Sequence, residues 1–456
     1  MLASFVLLPG CSSGGTKNVT NPPAAGASGM TASDGGTSGG ASSSGGNSMS
    51  SIGGAGGTPT SSSGGSNSTS SGGSSVTDAG GSSATDAGGS SATGAGGTTM
   101  GTGGAVYPAP GQRKGSGVLP PATTSVVFKG KLVYDNPKIL RDLGFTGVVN
   151  GQIVWTFGDT LVQDGSQTSF AASDSSALGD LSDPMKVHDK NLRSNGYPDE
   201  WIPLTDDENA NGGLGRFAEG GTNVVEYAPN KGLVWFLKND RGGGSDHILG
   251  AGVATVTADA NGAKATRAMD RMFESDEPNW GDVGVTYDPT DKKVYVFGSG
   301  EPSMNLSGTV FLARVPAARA TDVTAYEYWD QSTKTWGTTR YGSGRTGTRT
   351  YTVDQALFSF AAHGQSNAFW SNYYNVWMFV YGASWPNSDI YVSTASKLEG
   401  PWSDALTIST TCPQGGTCGN LRYCIAPHPE FDASGKTLLV SWTDANVIDA
   451  VEVTWK

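Results

Sequence analysis

Five times along the chain, a short alternating or apolar-rich segment is followed by a polar turn and an aliphatic–aromatic segment. The second segments are anchored at Val154, Val234, Val294, Val376 and Leu438. The units are "GFTGVVNGQIVWTFGD" (144–159), "GTNVVEYAPNKGLVWFLKND" (221–240), "DVGVTYDPTDKKVYVFGSG" (282–300), "QSNAFWSNYYNVWMFVYGAS" (365–384) and "PHPEFDASGKTLLVSWTD" (427–444). Each reads as a β-hairpin. The anchors lie 80, 60, 82 and 62 residues apart, which leaves room for a four-stranded blade and its loops. Outer strands for the middle three are supplied by "ILGAGVATVTA" (248–258), "GTVFLARVPA" (308–317) and "DIYVSTASKLEGPW" (389–402). With no convincing long helix, the expectation is an all-β chain folded as a five-bladed β-propeller. The ring closes by pairing "TTSVVFKGKLVY" (123–134) with the blade that holds the C-terminal "AVEVTWK". A β-sandwich is the alternative, with more closely spaced hairpins.

The propeller is expected over residues 105–456. Ahead of it, residues 12–104 are Gly, Ser, Ala and Thr with no aromatic residue and four charged ones (Lys17, Asp34, Asp78, Asp86). Such a segment cannot bury enough apolar surface to offset its ordering entropy, so it reads as a disordered linker. Residues 1–11 form an apolar run, Leu2 to Leu8, that ends in Leu-Pro-Gly-Cys. That pattern reads as a lipoprotein signal with cleavage before Cys11, the lipid on Cys11 anchoring an exported protein to a membrane or cell surface. Taking the linker's charges from the total of −12 leaves the propeller at −10. An acidic surface argues against nucleic acid and anionic membranes as partners, and no protein partner is evident. Export permits a disulfide among Cys412, Cys418 and Cys424, most simply Cys412–Cys418. Beyond the linker there is no nucleophile elbow, P-loop or HExxH zinc motif. No cofactor or metal is expected.

The first hairpin carries the chemistry. In "RDLGFTGVVNGQIVWTFGDT" (141–160), Asn150-Gly151 reads as a two-residue type I′ turn. The register that follows from it sets Asp142 directly opposite Asp159, at roughly 4.5–5.5 Å between Cβ atoms. Opposed like charges are destabilising, so the alternatives are solvated aspartates splayed at a hairpin mouth or a working carboxylate pair. In a propeller, the start of an inner strand and the end of the next share one rim of the channel. Other candidates follow from that geometry. Asp282 opens blade three, preceded by Asp276, Glu277 and Trp280; Glu219 precedes blade two; Gln365 and Asn367 open blade four. His363 and His428 are expected to open blades four and five, and Trp201, Trp370 and Trp385 are further aromatics able to stack on sugar.

The sequence "RDLGFTG…VWTFGDT" resembles the first-blade signature of the family catalogued as domain of unknown function 4185, an Asp-Leu-Gly followed one hairpin later by Phe-Gly-Asp-Thr. "DIYVSTASKLEGPWS" is similar to the blade-four outer strand of furanosidase-like propellers. The named family includes endo-acting hydrolases of D-arabinofuranan, grouped as glycoside hydrolase family 183. The resemblance implies that Asp142 and Asp159 are the catalytic pair of an arabinofuranose-polysaccharide hydrolase. Close opposition goes with retention, with Asp142 as nucleophile and Asp159 as acid/base. The rivals are an inverting furanosidase, with Asp142 as base and Asp282 or Glu277 as acid, and a glycan-binding propeller without turnover.

Overall fold

The computed structural model describes residues 122–456 apart from 243–246, 301–307, 360–364, 383–387 and 414–421. The signal and linker readings, with Cys11, and the residues His363, Trp385 and Cys418 lie outside the described residues. Cys412 is disulfide-bonded and Cys424 is a buried free thiol.

Five blade sheets follow one another along the chain, each starting at an inner strand and stepping outward by antiparallel neighbours, except that Val133–Tyr134 joins the edge of blade one in parallel. A small parallel pair, Arg340–Tyr341 with Thr348–Arg349, lies in an insertion of blade three. The inner strands are Ile139–Val149 in blade one, Phe217–Gly221 with Val225–Ala228 in blade two, and Asn279–Asp288 in blade three. Blades four and five begin with Asn367–Ser371 and Arg422–His428. Each inner strand touches the next, and the fifth touches the first, so the ring is closed. The expected closure is present. Thr123–Lys131 is the outermost strand of blade five and pairs antiparallel with Val447–Trp455, Val126 lying opposite Val453. The expected outer strands appear as His247–Asp259, Thr309–Pro316 and Asp389–Ala395. Among the described residues the α-helix is a single short turn, Asp206–Ala210.

Alternation along the second strands holds the blades together, because successive side chains face opposite seams. In blade one Val154 packs toward blade two, whereas Ile153, Trp155 and Phe157 pack toward blade five. In blade two Val234 and Phe236 face blade one, whereas Leu233, Trp235 and Leu237 face blade three. Two further apolar clusters fill the seams between blades three and four and between four and five. Toward the axis the backbones crowd. A Cβ at Gly147 would lie 1.9 Å from the Val224 carbonyl oxygen, so only glycine lets the inner strands of blades one and two approach so closely.

The hairpin turn of blade one forms as expected, with Asn150 and Gly151 at φ of 50° and 74° and Val149 opposite Gln152. Farther out the register does not stay constant. Phe145 faces Thr156, but Leu143 faces Phe157 before the pairing recovers at Arg141 and Thr160. Asp142 and Asp159 are therefore not a registered pair, which corrects the direct opposition expected from the turn. The slip is a bulge in which Leu143 and Gly144 take φ of 67° and 86°. Bulges of this kind re-aim side chains. The inner strands of blades three and five slip at the same level, between Trp280 and Gly284 and between Tyr423 and Ala426.

His428 ends the inner strand of blade five instead of opening it, a second correction. Its ring lies tilted against Trp155 with centroids 4.6 Å apart and hydrogen-bonds Thr146 Oγ1 and Ser441 Oγ, both at 2.7 Å. Burial pushes its pKa down to about 3, so the ring is neutral. Beside it the Thr146 hydroxyl donates to Glu430 Oε2 at 2.9 Å, and burial pushes Glu430 up to about 7. A carboxyl raised on folding contributes fully below its ordinary value of 4.5, and its contribution disappears as pH rises through about 7. His428 works in the opposite sense, contributing above 6.5 and failing as pH falls through about 3. Glu430→Gln should therefore gain in Tm relative to the wild type as pH rises from about 5 to 8. A Tm difference that stays constant across thermal melts in that range would remove Glu430 from the account.

Candidate active site

At the end of the channel where the inner strands slip, the first four blades line a cavity. Its wall carries Asp159 and Gly158 from blade one, Glu219 from blade two, Asp282 from blade three and Gln365 from blade four. Arg241, which follows the second strand of blade two, completes the charged lining.

Asp142 lies behind this wall and is fully buried. The Tyr423 hydroxyl donates to its Oδ2 at 3.0 Å, and its Oδ1 has no hydrogen-bond partner of regular geometry among the described residues. Burial pushes its carboxyl well above the usual carboxylate range, and the neighbouring Asp159 charge adds to the rise. The Tyr423 hydroxyl, the Arg241 guanidinium and the Asp159 backbone N–H oppose it without reversing it. Asp159 sits at the wall in an ion pair with Arg241, Oδ1 to Nη2 at 2.8 Å. One hairpin thus holds one carboxyl that burial biases toward its protonated form and one that is ion-paired to a cation.

Gly158 separates the two. A Cβ there would lie 2.4 Å from Asp142 Oδ1 and 2.9 Å from the Leu143 side chain, and Gly158 itself lines the cavity. The missing side chain lets the Asp142 carboxyl lie directly behind the cavity wall. Gly158→Ala is expected to fold and to lose ~10²-fold in activity, the scale of an ångström's misplacement at a reacting group. A melt and a rate assay on the purified variant check both parts; unchanged turnover would show that the close packing of Gly158 on Asp142 plays no part in catalysis.

Asp282 is nearly buried and accepts hydrogen bonds from Ser299 Oγ at 2.6 Å and Gln365 Nε2 at 2.7 Å. Burial raises its pKa, and the two hydrogen bonds hold the rise back. Glu219 is fully buried at the cavity wall, with Arg267 at 3.1 Å from Oε1. Asn367 sits one strand-step away, 3.5 Å from Thr286 Oγ1, and does not line the cavity.

Three expected site residues belong to the scaffold. Glu277 is buried and ion-paired to Arg340 and Arg345, which tie an insertion of blade three to the start of its inner strand. Asp276 is held by the same Arg345 and by Ser343. Trp280 is fully buried in the seam between blades two and three, against Tyr328 and Phe273, with no ring face left for a sugar. Trp201 and Trp370 are core residues as well. Arg241 and Tyr423 were not singled out from sequence. Arg241 stands just past the second strand of blade two, as Asp159 stands near the rim end of the second strand of blade one, so the rim geometry pointed to its position. Among the described residues no group of three or more His, Cys, Asp or Glu is arranged to hold a metal ion.

No protein-family model matches the chain, and no curated protein matches it in sequence. Among solved structures it is similar to a Bacteroides ovatus protein described as a candidate hydrolase (15% identity, 70% of this chain and 86% of that one, TM-score 0.47). It is also similar to the arabinanase of Bacillus subtilis (14% identity, 72% and 96%, TM-score 0.39). A third is the exo-β-1,3-galactanase of Phanerochaete chrysosporium with galactose (12% identity, 72% and 63%, TM-score 0.42), of which this chain spans under two thirds. At such identities and scores these likenesses assign no chemistry. The chemistry rests on the carboxyls.

Proposed function

We propose that the chain is a glycoside hydrolase that cuts arabinofuranose-containing polysaccharide within the chain and retains anomeric configuration. The observation that carries this reading is the divided pair, Asp142 desolvated and proton-holding and Asp159 at the cavity wall against Arg241. Carboxyls whose surroundings push their protonation apart supply an acid and a nucleophile from one residue type. The roles are the reverse of those expected from sequence. Asp142 gives its proton to the glycosidic oxygen as the C1–O bond breaks, the bonding pair leaving with that oxygen. Asp159 attacks C1 and forms a glycosyl ester. Water then attacks C1, Asp142 takes the water's proton, and Asp159 is released as carboxylate.

Arabinofuranose specificity and endo action rest on the resemblance of the first hairpin, "RDLGFTG…FGDT". With Cys11 lipidated and residues 12–104 as a tether, the enzyme would work on polymer outside the cytoplasm. The test is sugar release by the purified chain on D- and L-arabinan panels, with the product anomer read by NMR at early times. A ladder of oligosaccharides with retained configuration is expected from one of them. Binding of a glycan with no release of sugar would overturn the hydrolase reading in favour of a lectin-like propeller.

A further inference from the structure

Beside the cavity, blade two and the connection before it build a charge network that the divided pair does not use. Thr205 caps the helix Asp206–Ala210 in a capping box with Glu208. The Glu208 carboxylate receives Lys238 Nζ at 2.6 Å and Arg267 Nη1 at 2.7 Å. Both cations also reach Asp270. Glu208, Lys238 and Arg267 are nearly buried, and Asp270 is half exposed. Two cations thus meet two anions.

Glu219 is a third carboxyl in the same place. Its Oε1 lies 3.1 Å from the Arg267 Nη1 that Glu208 already holds more closely. Its Oε2 is buried and receives no donor among the described residues, and the Glu208 carboxyl lies within hydrogen-bond reach of the Glu219 carboxyl. Across the cavity stand Asp159 with its own cation Arg241, and Asp282. Two cations serve three carboxyls here, so Glu219 only shares Arg267 with Glu208 and Asp270, and a buried carboxylate without a full counter-charge is disfavoured.

We infer that Glu219 works as a neutral carboxylic acid whose Oε2–H donates a hydrogen bond to a hydroxyl of the bound sugar, Glu208 and Asp270 having already neutralised Arg267 and Lys238. The inference rests on the hydrolase reading of the same cavity. The electrostatics agree. Burial pushes Glu219 well above the usual carboxylate range, Arg267 opposes this, and the Glu208 charge adds to it. Burial works against Glu208 too, but Arg267, Lys238 and the Thr205 N–H hold its carboxyl well below that range. Glu208 is therefore a positioning residue: by holding Arg267 it keeps Glu219 protonated.

The test uses the full chain and the arabinan that the wild type cleaves. Glu219→Ala should raise KM about tenfold, with kcat changing less, as expected for one lost hydrogen bond to substrate. Wild-type KM should rise on the alkaline side as Glu219 ionises, and Glu219→Gln, whose amide donates without titrating, should lose that rise. Glu208→Gln hands Arg267 to Glu219 and should bring the rise to lower pH by about one unit or more. Wild type minus Glu219→Gln infrared difference spectra should show a protonated carboxyl at neutral pH. Carboxylate bands there, in a chain that cleaves, would overturn the inference and leave the hydrolase reading standing. Loss of kcat on polymer by Glu219→Gln, with aryl glycosides of acidic leaving group spared, would make Glu219 the proton donor and overturn the binding role. A wild type that releases no sugar defeats the hydrolase reading, and the binding role falls with it.

Discussion

Asp142→Asn should separate folding from catalysis. The wild-type side chain is fully buried and keeps its proton, so the amide replaces one neutral group by another of the same shape, with Tyr423 still able to donate to an oxygen. Hydrolysis of polysaccharide should fall by ~10²–10⁴, the range for a lost general acid. Aryl arabinofuranosides with acidic leaving groups, which need no proton to depart, should fall far less in kcat/KM, while the second step still lacks its base. The alkaline limb of the wild-type rate profile, set by ionisation of Asp142, should disappear for those substrates. Stability gives a second readout with a definite sign. A carboxyl raised on folding contributes below its ordinary value of 3.8, and that contribution is lost as pH rises through the raised value. The variant should therefore match or exceed the wild type in Tm, by a margin that widens toward alkaline pH. Polymer cleavage by Asp142→Asn at the wild-type rate would remove Asp142 from the acid role.

The architecture was largely legible because it depends on local, period-two patterns. Trp155 and Val154 declare opposite faces of one strand, and five such strands at regular intervals leave few all-β arrangements. The closure could be read because the C-terminal strand Val447–Trp455 alternates along most of its length and Thr123–Lys131 is the first strand-like segment after the linker. The register at the site could not. Leu143 takes a positive φ that its residue type disfavours, and only the neighbouring Gly144 hints at a bulge there. The turn placed Asp142 and Asp159 on one rim, but the bulge decides which of them is buried. Burial and partnership across blades were equally out of reach. Glu277 read as a rim acid, yet arginines at 340 and 345, from an insertion of the same blade, lock it into the scaffold. Glu219 meets Arg267 from the far strand of its own blade and the Glu208 carboxyl from the connection before it. Trp280, expected just before the strand, lies inside it, and the seam it enters is set by packing against blade two.

Asp159→Asn should be the more damaging change, since it strikes both halves of the pair. It removes the carboxylate that attacks C1, so activated aryl substrates lose activity together with the polymer, by at least about 10³-fold, the scale for a lost nucleophile. It also removes the like charge that helps raise Asp142 while Arg241 continues to lower it, so Asp142 holds its proton less firmly. Whatever activity persists should lose its alkaline side at a lower pH than in the wild type. A small anion such as azide or formate, entering where the carboxylate stood beside Arg241, should restore turnover of activated substrates. Because that anion attacks in a single displacement, the glycosyl azide should carry the configuration opposite to that of the wild-type product. That stereochemical contrast separates the two carboxylate roles Asp159 could fill. A nucleophile's loss is rescued with inversion against a retaining wild type, whereas a general base would give an inverting wild type from the start. An inverted wild-type product, read by NMR before mutarotation, would turn the Arg241-held carboxylate from nucleophile into water-activating base.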